Sequence, residues 1–464
     1  MVFASTKRTH TWLARWLTAA LALPCLAHAG SDLIFRSGFE ASGPQPYVDP
    51  GTTGSDPVLR TWEGGGGART SILYAGGGSG GSETPVRYGE CSGDCTTASG
   101  WQFTTLGSYG TAGLGGGARL ALDPAGHPRV VWYSQASVGG NGTLFYGECN
   151  GASCTSPSAW TIRPILSFTS GDSMALLARG AFALDPQGRP RMLLQDLGSG
   201  TYYGQCDSAC TQGSNWTFNQ FLQISALADL HFTANGQARV AYEAVSPNVI
   251  DGEDLYYAAC NANCGSEGNW QSVPLLPVND NLVTEPFSLA LDAAGSPRIA
   301  FYYAASGSNQ LAYAWCDASC STGGQNTWYA YTTGLPDWSG HKGVALALDA
   351  GGVPHLAFGE SPDGVSDDDV DVADCIQGCT SQPLWQWRQV ARAQDITLAP
   401  PDPCGTGLSQ WQLGTTPDLV VDSRGTPLVY DTYAEFECIT GYDQNGNPIY
   451  TIDSYTGPVA YAVP

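Results

Sequence analysis

The sequence predicts an all-β protein, and its composition and internal repeat are the observations that predict it. The chain has 464 residues, with 59 Gly and 29 Pro, and only 13% of its residues are charged. Many glycines and prolines with few charges are typical of short strands joined by turns rather than of helices. The first cysteines of six short pairs recur every 54 to 59 residues, and a period of this length indicates a repeat architecture.

Each repeat unit carries two recurring phrases. The first is a D-x-x-G turn followed by an apolar run, as in ALDPAGHPRVVWY from Ala121 and ALDAAGSPRIAFY from Ala290. The second is a Tyr-x-x-Cys-x-x-x-Cys phrase followed by a Trp and an alternation of polar and apolar residues. Residues 58–74 stand at the position of the first phrase in the first unit but match it only weakly. A further copy of the first phrase begins at Val420.

One unit divides into four predicted strands. In the second unit, strand A ends at Asp123, a turn follows with Gly126 in a left-handed conformation, and strand B covers Arg129–Tyr133. Strand C covers Leu144–Cys149, and strand D begins at Trp160. Four antiparallel strands make one blade, and blades repeated around an axis make a β-propeller. Seven copies of strand B predict seven four-stranded blades, and six blades are the alternative.

The chain divides into a signal peptide at 1–29, an N-terminal leader at 30–56 and the propeller at 57–464. The seventh unit lacks strand D after its predicted strand C at Pro458–Val463. The segment Asp32–Glu40 would supply the missing strand and close the ring, or it is a leader that follows the signal peptide.

The N-terminus and the cysteines predict export. A basic start, a short apolar run and the small residues before Gly30 are typical of a secretory signal cleaved near Ala29. Cysteines beyond the signal are even in number, which predicts disulfides in an extracellular or periplasmic protein. Zinc is the alternative, but each short pair stands alone and has no His companion. The predicted bridges are Cys91–Cys95, Cys149–Cys154, Cys206–Cys210, Cys260–Cys264, Cys316–Cys320, Cys375–Cys379 and, at the opposite face, Cys404–Cys438.

The net charge of −23 excludes a nucleic-acid partner held by phosphate contacts and disfavours anionic membrane surfaces. No apolar run is long enough to span a bilayer. The expected partner is an extracellular glycan or protein, and the expected state is a monomer.

Three sets of repeated residues have structural interpretations. The strand-B arginines are expected to make ion pairs or hydrogen bonds between blades, the tryptophans to pack between blades, and the strand-A aspartates to cap turns. Sugar platforms are the alternative for the tryptophans, and calcium ligation is the alternative for the aspartates. The sets are Arg129, Arg191, Arg239 and Arg298; Trp101, Trp160, Trp216, Trp270, Trp328, Trp385 and Trp387; and Asp123, Asp185, Asp292, Asp349 and Asp422.

The candidate site lies in the variable loops after strands B and D. Acidic and aromatic residues of these loops are the candidate ligand-binding residues: Asp251, Glu253, Asp254, Asp337, Trp338 and His341. A run of carboxylates offers hard oxygen ligands for Ca²⁺, with a solvated acidic loop as the alternative: Asp367, Asp368, Asp369 and Asp371.

The combination of D-x-x-G-x-P with Tyr-x-x-Cys-x-x-x-Cys and a following Trp resembles secreted bacterial propeller repeats of the sialidase-like, BNR-repeat group. The turns lack the Ser of the sialidase Asp-box, and the repeated arginines fall at the wrong end of the blades for a substrate-binding triad. We therefore expect an exported, non-enzymatic binding propeller. The alternative is a glycoside-processing enzyme, hydrolase or lyase, that uses paired carboxylates of the loop face.

Overall fold

The computed structural model describes most of the chain from residue 54 onward. In the described residues the regular structure consists of β-strands and short 3-10 turns, and no helix there is long and apolar enough to cross a membrane. The described ranges are 54–64, 67–76, 84–95, 98–110, 117–135, 140–169, 175–196, 199–224, 226–245, 253–275, 287–305, 308–324, 327–334, 343–360, 369–392, 409–413, 417–421, 427–431, 434–442, 448–455 and 459–462.

Six four-stranded antiparallel sheets follow one another along the chain, and each is one blade of a β-propeller. In every blade the strands pair in chain order, from the inner strand A to the outer strand D. Blade 1 contains β1 (Gly54–Gly64), β2 (Gly67–Gly76), β3 (Pro85–Cys91) and β4 (Trp101–Ser108). Blade 2 contains β5 (Ala118–Leu122), β6 (Pro128–Gln135), β7 (Gly142–Cys149) and β8 (Trp160–Phe168).

Blade 3 has one additional short strand, β9, which pairs with β11. Its strands are β9 (Ala175–Leu176), β10 (Phe182–Leu184), β11 (Pro190–Asp196), β12 (Gly200–Cys206) and β13 (Trp216–Leu222). Blade 4 contains β14 (Ala228–Phe232), β15 (Ala238–Val245), β16 (Glu253–Cys260) and β17 (Trp270–Pro274). Blade 5 contains β18 (Ser288–Leu291), β19 (Pro297–Ala305), β20 (Ser308–Trp315) and β21 (Tyr329–Thr332). Blade 6 contains β22 (Val344–Leu348), β23 (Pro354–Glu360), β24 (Asp369–Gln377) and β25 (Leu384–Arg392).

The expectation of seven four-stranded blades is wrong, and the six-blade alternative is correct. The last repeat unit has too few strands for a complete blade, and it forms a three-stranded sheet of β27 (Asp418–Val421), β28 (Pro427–Asp431) and β31 (Val459–Ala462). The insertion before β31 builds a second sheet from β26 (Ser409–Leu413), β29 (Ala434–Tyr442) and β30 (Pro448–Tyr455). The segment Asp32–Glu40 lies outside the described residues, so its role in closure remains a prediction.

Side chains of the inner strands join neighbouring sheets by accepting backbone N–H groups. Asp229 of β14 accepts the N–H of Leu289 in β18 at 2.7 Å. Asp418 of β27 accepts the N–H of Leu59 in β1, also at 2.7 Å. Inner strands expose one edge, and an acceptor from the preceding sheet satisfies part of that edge. The sheet of the last repeat is therefore bonded directly to blade 1.

The D-x-x-G turns between strands A and B have the predicted conformation. Asp123 caps its own turn, because its Oδ1 atom accepts the N–H groups of Ala125 and His127 at 2.9 and 2.8 Å. The turn glycines have positive φ angles of 75 to 82°, which side chains disfavour: Gly126, Gly188, Gly236, Gly295 and Gly352. Asp185, Asp292 and Asp349 cap in the same way, whereas Asp422 lies outside the described residues.

Disulfides close the connections between strands C and D, as predicted for the six short pairs. Each bridge stabilises by about 2 kcal/mol in the loop-entropy estimate. Strand-D tryptophans reinforce these turns: Trp216 Nε1 donates to the carbonyl of Cys210 at 2.7 Å. Trp101, Trp160, Trp270 and Trp328 donate in the same way to the second cysteine of their own pair. Cys404 lies outside the described residues, so its bridge to Cys438 remains a prediction.

The tryptophans also pack between blades, which confirms that interpretation of the repeat. Trp216 of blade 3 makes an edge-to-face contact with Tyr146 of blade 2, with ring centroids 5.3 Å apart. The same contact recurs between Trp160 and Tyr88, Trp270 and Tyr203, Trp328 and Tyr257, and Trp385 and Tyr313. Burial raises the pKa of Tyr146 and Tyr203, as expected for hydroxyls inside the core.

Candidate functional site

The two ends of the blades differ in the connections that they carry. We call the end with the D-x-x-G turns and the disulfides the turn end, and the opposite end the loop end. Most loop-end connections lie outside the described residues, so the candidate site is built from the strand ends that support them. Of the predicted site residues, these lie outside the described residues: Asp251, Asp337, Trp338, His341, Asp367 and Asp368.

The remaining predicted site residues lie in strands rather than in loops. Glu253 and Asp254 begin β16 of blade 4, and Asp369 and Asp371 lie near the start of β24 of blade 6. Asp254 is 4% exposed and Asp371 is fully buried. Both carboxylates therefore point into the blades, whereas the sequence predicted ligands on the surface of loops. The two groups belong to different, non-adjacent blades.

The carboxylate of Asp254 is buried at the loop end of blade 4. Its Oδ1 atom is buried and has no hydrogen-bond partner among the described residues. Burying a carboxylate without a full set of partners is costly, and most buried polar groups are satisfied. An exception of this kind requires an explanation, and a group retained for binding or catalysis is one.

Tyrosines lie beside Asp254 on the same face of blade 4. Tyr256 follows it by two residues in β16, and side chains two residues apart in a strand share a face. Burial and the charge of Asp254 both raise the pKa of Tyr256, so its hydroxyl keeps its proton at neutral pH. Tyr256 stacks on Tyr242 at 5.1 Å, and the hydroxyl of Tyr242 hydrogen-bonds to Ser272 at 2.6 Å.

This face of blade 4 is packed against blade 3. Tyr242 makes an edge-to-face contact with Phe221 of β13 at 5.6 Å. Tyr203 of blade 3 faces blade 4 and contacts its Trp270. Leu193 pairs with Tyr203 and Gln195 lies two residues further along β11, so Gln195 faces blade 4 as well. Gln195 is 9% exposed, and its Oε1 atom has no hydrogen-bond partner among the described residues.

Sequence reasoning missed two buried polar residues at the loop end, Gln195 and Glu243. Both stand four residues after the repeated arginine of their blade, where Tyr133 and Tyr302 occupy blades 2 and 5. Glu243 is 6% exposed and pairs with Leu255, so it lies on the face of blade 4 opposite to Asp254. A polar residue at a repeat position that holds Ala75, Tyr133, Tyr302 and Gly359 in the other blades was the available signal.

The repeated arginines lie at the turn end, far along the strands from Asp254. Arg298 donates to Asp292 of its own turn at 2.7 Å and to Asp317, which follows the first cysteine, at 2.8 Å. Arg129 and Arg191 make the corresponding contacts in blades 2 and 3. These contacts join two turns within one blade, so the expectation of bonds between blades is wrong at these positions. Their guanidinium groups are used structurally.

Two arginines at the loop end donate hydrogen bonds to backbone carbonyls. Arg119 of β5 donates to the carbonyls of Ala178 and Ala118, at 2.5 and 2.9 Å, and to that of Leu177. Arg179 donates to the carbonyl of Pro417, which precedes β27. In the described part of the chain, no group of three or more His, Cys, Asp or Glu side chains is arranged to hold a metal ion.

No protein-family model matches this chain, and no curated protein sequence is similar to it. Its fold is similar to that of solved propeller structures. An intramolecular trans-sialidase from Ruminococcus gnavus is 12% identical with a TM-score of 0.43, over 89% of this chain and 96% of that one. The polysaccharide lyase Uly1 is 13% identical with a TM-score of 0.46, over 92% and 95%. An α-L-arabinanase from Penicillium chrysogenum is 11% identical with a TM-score of 0.43, over 75% and 97%.

These structures correct the expected function. The sequence favoured a non-enzymatic binding propeller, whereas the solved structures similar to this chain include a trans-sialidase, a polysaccharide lyase and an α-L-arabinanase. The expectation of a non-enzymatic binding propeller is corrected on this finding. The likeness extends to the fold, and the reaction has to be argued from the residues of this chain.

Proposed function

We propose that the protein is an exported enzyme that cleaves glycosidic bonds, as a hydrolase or a lyase, at the loop end between blades 3 and 4. The observation that carries the proposal is the buried Asp254, whose Oδ1 atom has no hydrogen-bond partner among the described residues. The six disulfides support export, because such bridges persist in oxidising compartments.

In this proposal Asp254 exchanges a proton with the substrate. A carboxylate in a largely apolar setting can act as a general acid or base, and it contributes about 10²–10⁴-fold to the rate. Tyr256 retains its proton and donates a hydrogen bond to the substrate, and Gln195 binds it from the wall of blade 3. Glu243 lies on the opposite face of the blade, so it does not serve as the second carboxylate of a pair with Asp254.

A hydrolase needs a second carboxylate at about 5–5.5 Å for retention or about 6.5–9.5 Å for inversion. Asp251, three residues before Asp254, is the candidate that the sequence offers. A lyase needs no such pair. The nature of the product therefore distinguishes the two reactions.

The test is to incubate the purified full chain with a panel of plant, algal and host polysaccharides. New reducing ends without ultraviolet absorbance identify a hydrolase, and an absorbing unsaturated sugar identifies a lyase. Asp254→Asn should reduce the rate at least about 10²-fold while the fold is kept. Glu267→Gln is the matched control, because Glu267 is exposed in the turn-end connection of the same blade. Full activity in Asp254→Asn would refute the assignment of this site.

A further inference from the structure

One surface of the propeller departs from the repeat pattern in an unusual way. In strand D, the residues one and three positions after the tryptophan are mostly polar in five blades. They are Gln102 and Thr104, Thr161 and Arg163, Thr217 and Asn219, Gln271 and Val273, and Gln386 and Arg388. Blade 5 has Tyr329 and Tyr331 at these two positions.

A third aromatic residue of blade 5 belongs to the same cluster. The residue before the first cysteine of each pair is Glu90, Glu148, Gln205, Ala259 or Asp374 in the other blades, but it is Trp315 in blade 5. Trp315 pairs with Tyr329, and the ring of Trp315 stacks on both tyrosines at 5.5 Å, with interplanar angles of 19° and 14°. Three substitutions at separate repeat positions thus build one stacked cluster.

The cluster lies on the face of blade 5 that packs against blade 6, and we call the exposed surface of Tyr329, Tyr331 and Trp387 the outer groove. Tyr313, on the same face as Trp315, contacts Trp385 of blade 6 edge-to-face at 5.3 Å. Trp387 lies two residues after Trp385 in β25 and therefore faces the groove from the other wall. Trp315 and Trp385 form a buried floor, while the side chains above it are open to solvent. Tyr329, Tyr331 and Trp387 are 53%, 41% and 42% exposed.

We propose that this groove binds a neutral polysaccharide by stacking sugar rings on the faces of Tyr329, Tyr331 and Trp387. Flat aromatic rings complement the C–H faces of pyranoses, and the tyrosine hydroxyls and indole N–H offer hydrogen bonds at the ring edges. The net charge of −23 disfavours a polyanionic chain.

The size of the patch favours a sugar chain over a protein partner. An aromatic side chain buries at most about 250 Å², and roughly half of each of these three is already covered. The remaining area falls well below the ~800 Å² per partner of a stable protein interface. The groove also lies at the outer strands, away from Asp254, so it would hold a polymer without occupying the proposed catalytic site.

The test is depletion of the full chain from solution by insoluble cellulose, xylan, mannan and starch granules. The double variant Tyr329→Gln/Tyr331→Thr introduces the residues that blade 1 carries at these positions, which keeps the strand compatible with the fold. It should weaken binding to the retained polymer at least about tenfold, the loss expected when anchoring aromatic side chains are removed. Trp387→Phe, which places the residue of blade 1 in blade 6, should weaken binding to a smaller extent.

Tyr442→Gln is the control for an exposed aromatic residue elsewhere, because Tyr442 is 59% exposed on β29. Asp254→Asn should bind as the wild type does, which separates failure of this inference from failure of the proposed function. No depletion by any of the four polymers, or equal depletion by the double variant, would overturn the proposal. A wild-type dimer in sedimentation that the double variant dissociates would also overturn it, since the patch would then be a protein interface.

Discussion

The two ends of the blades differ in how their buried polar groups are hydrogen-bonded. At the turn end, Arg298 is buried but bonded to two carboxylates and two carbonyls. At the loop end, Asp254 is equally buried, and one of its oxygen atoms has no hydrogen-bond partner among the described residues. Repetition with satisfied partners indicates structure, whereas a buried polar atom without a partner requires an explanation, which the proposed function supplies for Asp254.

Of the variants that test this difference between the two ends, Arg298→Ala is expected to have the largest effect on stability. The variant removes the guanidinium group of Arg298, whose side chain is 5% exposed. Asp292 and Asp317 then lose the cation to which both are bonded. Breaking a buried ion pair costs about 3 kcal/mol or more of the free energy of unfolding. Arg239→Ala is the comparison, because Arg239 donates to the side-chain amides of Gln237 and Asn261 and to the carbonyl of Ala238 rather than to carboxylates, and it should cost less. Urea unfolding of both variants measures the difference, and equal costs would contradict a charged clamp.

A smaller loss is expected from filling a turn glycine. Gly352 has a φ of 77° and open space at its Cβ position, so Gly352→Ala should cost about 1–2 kcal/mol for the left-handed conformation alone. Gly126 has a φ of 82°, and its added Cβ would lie 2.5 Å from the ring of Trp62. Gly126→Ala should therefore lower the midpoint of thermal unfolding further than Gly352→Ala. The opposite order would show that Trp62 moves aside freely.

The tryptophan hydrogen bond gives a prediction of similar or smaller size. Trp216→Phe removes the donor to the carbonyl of Cys210, and an unsatisfied buried acceptor costs about 1–3 kcal/mol. Trp385 has nearly the same burial, but its Nε1 atom has no hydrogen-bond partner among the described residues. Trp385→Phe should therefore cost less than Trp216→Phe in chemical denaturation. Equal losses would assign the role of these side chains to packing alone.

The smallest effect is a dependence on pH in blade 6, where His355 replaces the repeated arginine. Burial acts to raise the pKa of Asp374, but hydrogen bonds from His355 and Arg388 outweigh it and hold the pKa below its usual value. A carboxyl group with a lowered pKa in the folded state stabilises the protein at a pH above its pKa in the unfolded state. This stabilisation is lost as the pH falls through the pKa of the folded state. Asp374→Asn should therefore destabilise more at about pH 5 than at about pH 3. The same destabilisation at both values would contradict this pairing.

Prediction from the sequence worked best where the repeat supplied several copies of one pattern. The turn conformation of Gly126, the cap by Asp123 and the packing of Trp216 follow from local geometry and from a spacing that recurs in most blades. The site was predicted less well. Asp254 was assigned to a loop surface, because period-two alternation cannot show which face of a strand end is covered by a neighbouring blade.

The sequence by itself determined the strand order within a blade, the six short disulfides and the capped conformation of the turns between strands A and B. These depend on residues close together in the chain, where backbone preferences and short loops leave few alternatives. Only the tertiary structure decided that the insertion before β31 forms a sheet of its own, and which side chains face each other across blades. Asp254 and Gln195 are more than fifty residues apart, as are Tyr331 and Trp387, and only the packing of one sheet on the next turns the members of each pair toward the same interface between blades.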